Sequence, residues 1–98
     1  MFVILTSRPG QYRTEPGPGL RLCESYDYLF CGQNKARFDI AELLHDVKVR
    51  VVDETPPERV NDIPSKFLPK FASLEEARAE LRSLVRFGMV DAALRRVP

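Results

Sequence analysis

Residues 20–30 read LRLCESYDYLF, residues 36–43 read ARFDIAEL, and residues 47–54 read VKVRVVDE. In each segment apolar side chains recur at every second position, as they do in a strand with one apolar and one polar face. Short turn-like stretches separate the segments, and the first of them contains Gly32 and Asn34. The middle third of the chain therefore predicts an antiparallel meander with a one-sided core.

The first 19 residues predict two further strands and a turn. Residues 1–6 are apolar on both parities, which is typical of a strand that is covered on both faces or of a central strand. Pro9 interrupts this run, and residues 11–15 can resume as a strand. The sequence PGPG at residues 16–19 is the strongest turn signal in the chain, so we expect a hairpin tip there.

Residues 55–72 are expected to form a Pro-rich loop or extended segment, because four prolines fall within them. The best helix signal follows at about residues 73–87. Ser73 and Glu76 match a capping box, and Gly88 is a natural stop. One face of this helix is apolar, with Leu74, Ala77, Leu81, Leu84 and Val85.

The predicted fold class is α+β. We expect residues 1–98 to form a single domain: a meander of about four antiparallel strands with one long helix packed on one face. Residues 89–97 would add a short C-terminal strand or helix, and the alternation of Val90, Ala92 and Leu94 favours the strand.

Composition and charge narrow the function classes. Fifteen basic and fourteen acidic side chains give a formal net charge of +1, which disfavours a nucleic-acid binder. The apolar run at the start is too short for a signal peptide, and no stretch is long enough to cross a bilayer, so we expect no membrane partner and a cytoplasmic location. If Cys23 and Cys31 share one strand they lie about 26 Å apart, so both should be free thiols. With His45 as the single histidine, we expect no metal site and no cofactor.

Two basic segments are candidates for binding a protein partner. Arg78, Arg82 and Arg86 lie at i, i+4 and i+8, so on a helix they form one ridge that could dock on an acidic partner. The alternative is a solvated helix flank with a local Glu75–Arg78 pair.

The second segment, residues 65–71, alternates basic and apolar side chains. In this segment Lys66, Phe67 and Lys70 could belong to a peptide-like arm that docks on a partner. The segment could equally be a strap that ties the loop to the core, and the sequence leaves both interpretations open.

The tyrosines are candidates for a small-molecule site. Tyr12, Tyr26 and Tyr28 fall in the predicted hairpins, and Cys23 could supply a polar group beside Arg21. The alternative is a sheet face that the helix covers, with the hydroxyl groups reaching water at its edge.

No segment matches a catalytic, metal-binding or phosphate-binding motif. We therefore predict a small non-catalytic binding or accessory protein that docks on a larger protein partner, or a homodimer that forms through an edge strand. The first alternative is a small-molecule binder or minor enzyme that uses the aromatic sheet face. A nucleic-acid binder is the second alternative, and the near-neutral charge argues against it.

Overall fold

The computed structural model describes residues 1–86 and 92–98, and it is α+β. Its described residues form two antiparallel sheets, one α-helix and one 3₁₀ turn. The elements are β1 (Phe2–Ser7), β2 (Tyr12–Glu15), β3 (Leu20–Phe30), β4 (Gln33–Leu43), β5 (Lys48–Asp53), β6 (Val60–Pro64), the 3₁₀ turn (Ser65–Phe67), α1 (Leu74–Arg86) and β7 (Ala92–Val97). The large sheet has the strand order β1-β4-β3-β7, and the small sheet has the order β2-β5-β6.

The strands do not form the single meander that the alternation predicted. β3 and β4 pair as a hairpin through Cys31 and Gly32, which adopt φ angles of +50° and +76°. β5 leaves this sheet and pairs with β2 and β6 instead. The physical reason is that the second face of the large sheet is also apolar, so it needs a cover, and Val49 of β5 packs against it.

The turn at residues 16–19 is a crossing between the sheets, so the prediction of a hairpin tip there is wrong. β2 ends in the small sheet at Glu15, and β3 begins in the large sheet at Leu20. Gly19 is required at this crossing because its φ is +92° and a Cβ there would lie 2.3 Å from Val47 Cγ1.

A β-bulge at Cys23 changes which face of the large sheet each part of β3 presents. Leu22 pairs with Ala41, but Glu24 pairs with Ile40, so Cys23 is an extra residue. Leu22 therefore faces the small sheet, whereas Glu24 faces the helix, although the two have the same parity in the sequence.

The core lies on both faces of the large sheet, which is the middle of three layers. Between the sheets the buried cluster is Val3, Leu5, Ala41 and Val49; beneath the helix it is Ile40, Ala77 and Leu81. β1 contributes to both clusters, because Val3 and Leu5 point one way and Phe2 and Ile4 point the other. The strand is covered on both faces, as predicted, but it is an edge strand of the large sheet, so the alternative of a central strand is wrong.

Helix α1 has ordinary length, with 13 residues, and is not the long helix that was predicted for residues 73–87. Ser73 caps it, since its hydroxyl accepts the Glu76 N–H at 3.1 Å. The Glu76 carboxylate accepts the Ala72 N–H at 2.9 Å, one residue earlier than in a standard capping box.

The C-terminal segment of the described chain is a strand. β7 pairs antiparallel with β3, from Phe30↔Ala92 to Ser25↔Val97, which confirms the preferred interpretation for these residues. The predicted helix stop at Gly88 and the tail residues 89–91 lie outside the described residues.

Candidate functional site

Residues 65–71 form a segment that ties the proline-rich part of the chain to the core, and we call it the strap. Ser65 is buried; its N–H donates to the Val47 carbonyl at 2.8 Å, and its hydroxyl accepts the Val47 N–H at 3.0 Å. Leu68 packs against the inter-sheet cluster and donates its N–H to the Ser65 carbonyl at 3.0 Å. These contacts tie the segment to the core, and partner binding through Lys66, Phe67 and Lys70 stays a prediction.

Phe67 is the most exposed large apolar side chain among the described residues, at 70%. The Lys66 ammonium lies 5.3 Å from the centre of its ring, within the range of a cation–π contact. Lys70 donates to the carbonyl oxygens of Ser65 at 3.0 Å and Leu68 at 3.4 Å, which stabilises the turn that carries Phe67. The strap thus presents one aromatic ring outward from a fixed backbone.

The strand that precedes the strap adds further exposed apolar surface. β6 pairs with β5 on one side and forms one edge of the small sheet. Val60 is 55% exposed and Ile63 is 37% exposed. An edge strand with apolar side chains can pair with a strand from another chain.

Arg78, the first residue of the predicted basic ridge, is bound within the molecule. Its Nε donates to Glu24 Oε1 at 2.8 Å, and its other guanidinium nitrogens bond Glu24 Oε2 and Glu75. Arg82 is exposed on α1, and Arg86 is the last residue of that helix. The structure therefore gives Arg78 a role in the fold, and partner binding by Arg82 and Arg86 stays a prediction.

Glu24 is the centre of this ion cluster and is 7% exposed. The Tyr26 hydroxyl donates to Glu24 Oε1 at 2.8 Å, and Arg96 Nη2 lies 3.3 Å from Oε2. The hydrogen bonds from Arg78 lower the pKa of Glu24 from 4.5 to about 2, although burial acts in the opposite direction. Burial and the bond to Glu24 raise the pKa of Tyr26. This carboxylate is satisfied and ionised, so its chemistry is that of a structural ion pair.

The residues of the predicted aromatic site are not brought together. Tyr12 belongs to the small sheet, whereas Tyr26 and Tyr28 lie on the helix side of the large sheet. Tyr28 makes an edge-to-face contact with Phe38, with ring centroids 6.3 Å apart. Cys23 is at the bulge, where its Sγ lies 3.4 Å from the Arg21 carbonyl oxygen.

Tyr28 does line a separate cavity of about 400 Å³ at the end of the helix-covered face. Phe38 and Leu84 supply apolar walls, and Arg8 and Lys35 supply positive charge at its mouth. Both cations are exposed, so the cavity combines an apolar interior with a basic rim.

A cleft of about 330 Å³ lies between the two sheets, and it was not predicted from the sequence. Most of its lining residues are apolar, and the polar ones are Asp53, Tyr12, Thr6 and Thr14. One signal for it exists in the sequence, because Asp53 has the same parity as the inward-facing residues Val49 and Val51. A carboxylate at an inward position of an apolar strand points to a polar function.

No group of three metal-ligating side chains was found in the part of the chain that the structure describes. The same residues contain no helix of the length and apolar character needed to cross a bilayer. The chain matches no protein-family model, no curated protein and no solved structure. The site must therefore be interpreted from its own geometry.

Proposed function

We propose that this chain is a small, non-catalytic cytoplasmic binding protein that docks on a larger protein partner through Phe67. The observation that carries the proposal is a phenylalanine that is 70% exposed on a turn fixed by Ser65 and Lys70. A rigid, protruding aromatic side chain is the type of residue that dominates binding energy in protein interfaces.

The energetics favour such an anchor. Complete burial of a fully exposed Phe side chain contributes about 1.5–3 kcal/mol, and Phe67, at 70% exposure, can gain most of this in a partner's pocket. The strap also lowers the entropic cost of binding, because its backbone is already ordered by hydrogen bonds to Val47. The Lys66 ammonium lies beside the ring, so the complementary pocket should have an acidic rim.

The free edge of β6 extends the proposed surface. β6 leads directly into the strap; Val60 lies on its outward face, whereas Ile63 lies on its inward face opposite Val49. A partner that covers Phe67 can therefore also pair with the free edge of β6, in the manner of strand addition. A second copy of the chain would use the same edge, and the experiment below separates these two cases.

The proposal is tested by photo-crosslinking in the native host, with a photoreactive phenylalanine analogue at position 67. The matched control carries the same analogue at position 84, since Leu84 is also exposed, at 51%, but lies on α1. We expect a discrete crosslinked product with one larger protein from position 67 only. The Phe67→Ala variant should lose co-purification of that protein, and Lys66→Glu should weaken it.

Two results would contradict this function. Equal crosslinking from positions 67 and 84 would mean that the strap is not a specific surface. A product with twice the mass of the chain would identify a homodimer instead of a larger partner.

The cavity beside Tyr28 supports a second candidate function, which is binding of a small anionic molecule with an apolar body. The apolar walls from Phe38 and Leu84 would hold the body, and Arg8 and Lys35 would pair with the anion. A thermal-shift titration with an aromatic carboxylate such as 2-naphthoate tests this. The double variant Arg8→Glu/Lys35→Glu should abolish the shift, and a shift that survives in the variant would exclude the site.

A further inference from the structure

The outer edge of β1 carries backbone groups that point away from its partner strand β4. Phe2 donates its N–H to the Phe71 carbonyl and accepts the Phe71 N–H, both at 2.8 Å. Phe2 therefore directs both of its polar backbone groups away from β4. Because strand geometry repeats every two residues, Ile4 and Thr6 direct theirs outward as well.

Ile4 is the residue whose outward groups are left free. The Thr6 carbonyl accepts a hydrogen bond from the Thr14 hydroxyl, so the edge is occupied at that end. Among the described residues, none donates to the Ile4 carbonyl or accepts from its N–H on the outer side. The Ile4 side chain packs beneath the helix, so it is the backbone of Ile4 that faces the cleft.

The sequence explains why the chain does not complete this edge itself. The antiparallel register that pairs Phe2 with Phe71 would place residue 69 opposite Ile4. Residue 69 is proline, which has no N–H to donate to the Ile4 carbonyl. The strap turns inward at Leu68, and the inter-sheet cleft is the space that remains beside Ile4.

The cleft has the shape and chemistry of a side-chain pocket. Val49, Val51, Ile63 and Leu68 supply apolar side chains to the lining that Ile4 also borders. Its volume of about 330 Å³ is small for a ligand pocket. The free stretch of β1 between Phe2 and Thr6 spans about 13 Å, which accommodates roughly three extended residues.

Asp53, a polar lining residue of the cleft, determines the charge that a bound ligand should carry. Asp53 lies opposite Tyr12 in the small sheet and is half-buried. Within the described residues its carboxylate makes no ion pair and no side-chain hydrogen bond. A cationic side chain is the natural partner for such a carboxylate at the end of an apolar pocket.

We propose that the free edge of β1 and the cleft beside it bind a short extended peptide segment of a protein partner. One residue of the segment exchanges backbone hydrogen bonds with Ile4, an apolar side chain lies on Val49 and Val51, and a Lys or Arg side chain reaches Asp53. This inference rests on the proposed function in one respect, which is that the bound segment belongs to a protein partner. The matched free donor and acceptor of one strand residue favour a peptide over a small molecule.

The test uses three acetylated, amidated peptides with the whole chain: Gly-Val-Val-Val-Lys-Gly, the same peptide with Glu in place of Lys, and the Lys peptide with its three valine amides N-methylated. Binding is followed through the backbone amide signals in ¹H–¹⁵N NMR titrations. We expect the Lys peptide to shift the amides of Ile4 and Asp53. The N-methylated peptide should bind roughly three- to tenfold more weakly, because it cannot donate to the Ile4 carbonyl.

The protein variant Asp53→Asn gives an independent test of the charge requirement. Wild type should prefer the Lys peptide over the Glu peptide by roughly fivefold or more, and Asp53→Asn should remove that preference while its spectrum stays folded. The Asp62→Asn variant is the matched control, because Asp62 lies on the outward face of the small sheet beside Arg50. It should leave the preference unchanged.

Several outcomes would overturn the inference. The first is equal affinity for the Lys, Glu and N-methylated peptides. The second is that no peptide shifts the amide signal of Ile4. The third is that n-hexylamine shifts the Ile4 signal and the peptides do not. Shifts at Ile4 that grow with protein concentration alone would identify a second copy as the occupant and would also overturn it. If the chain crosslinks to a partner through position 67 but does not bind the peptides, the proposed function stands and this inference fails. If the chain binds the peptides but gives no crosslink from position 67, the docking surface at Phe67 fails and this inference stands.

Discussion

The two faces of the large sheet differ in how their covering layers are attached. On the helix side a charged pair joins the layers, because Arg78 of α1 donates to Glu24 of β3, 54 residues away in the sequence. On the other side the buried carboxylate of Asp39 accepts the Ser25 hydroxyl within the same sheet, at 2.5 Å.

The small sheet is attached to the large one by weaker means. Apolar packing around Val49 and two hydrogen bonds from Thr14 to the β1 edge hold it, and the cleft lies beside them. The comparison teaches that a charged pair fixes the helix to one face of the large sheet, whereas neutral contacts attach the small sheet to the other face and leave the inter-sheet cleft beside them.

The largest expected effect comes from truncating the core on each face. Leu81→Ala should lower the free energy of unfolding by about 3–5 kcal/mol, because Leu81 is 1% exposed beneath the helix and its removal leaves a closed cavity. Leu5→Ala should cost only about 2–3 kcal/mol, because Leu5 borders a cleft that already exists and that water can enter. Urea unfolding of both variants measures the difference. Equal costs would mean that the two faces are equally well packed.

The next effect concerns acid stability and the helix face. Because the pKa of Glu24 is lowered to about 2 in the folded state, its ionised form stabilises the fold above the ordinary pKa of 4.5. This contribution should be lost as the pH falls from 4.5 toward 2. Glu24→Gln should be less stable than wild type at pH 7, and the two should converge near pH 2.

The measurement is the denaturation midpoint of each protein as a function of pH. A constant gap between wild type and Glu24→Gln from pH 7 to pH 2 would show that ionisation of Glu24 does not hold the helix layer.

A smaller effect tests the polar pair on the small-sheet side. Ser25→Ala should lower the free energy of unfolding by about 1 kcal/mol, because it removes one hydrogen bond from the buried Asp39 while Arg37 Nε stays 3.4 Å away. Ser25→Thr keeps the hydroxyl and should retain most of the stability. Thermal unfolding at pH 7 compares the two variants, and equal losses would assign the effect to packing.

The smallest effect is expected at the exposed ion pair between β7 and β3. Arg95 Nη2 lies 3.3 Å from Asp27 Oδ2, but the Arg95 side chain is 66% exposed. Arg95→Ala should therefore change the free energy of unfolding by about 0.5 kcal/mol or less. A larger loss, measured by urea unfolding at low and high salt, would show that charge fixes this edge as firmly as it fixes the helix.

The local features of the fold follow from the sequence. The alternation in residues 20–54 predicts β3, β4 and β5, the double apolar parity of residues 1–6 predicts a strand covered on both sides, and Ser73 with Glu76 predicts the start of the helix. Each of these signals depends only on residues that are close together in the chain, so it can be recognised in the sequence without knowledge of the fold.

The features that depend on distant residues could not be predicted. The bulge at Cys23 changes which face of the sheet β3 presents, although the alternation in the sequence continues unchanged. The strand β6 could not be recognised in the sequence, because Pro64 ends it and Pro56 and Pro57 precede it. The same holds for the ion pair of Glu24, which removes Arg78 from the predicted basic ridge. Of the candidate site, Phe67 could be named from the sequence, whereas the cleft requires the register between Phe2 and Phe71.

The hairpin turn at Cys31 and Gly32 has a consequence for the order of folding. It joins two strands of 11 residues each that are adjacent in the chain, so their pairing closes the shortest loop in the large sheet. β1 and β7 must be recruited from farther away, and a nucleus built on the hairpin is therefore the fastest route to the native topology. Gly32→Ala, at a φ of +76°, should then slow refolding, whereas changes in the inter-sheet cleft should mainly speed unfolding.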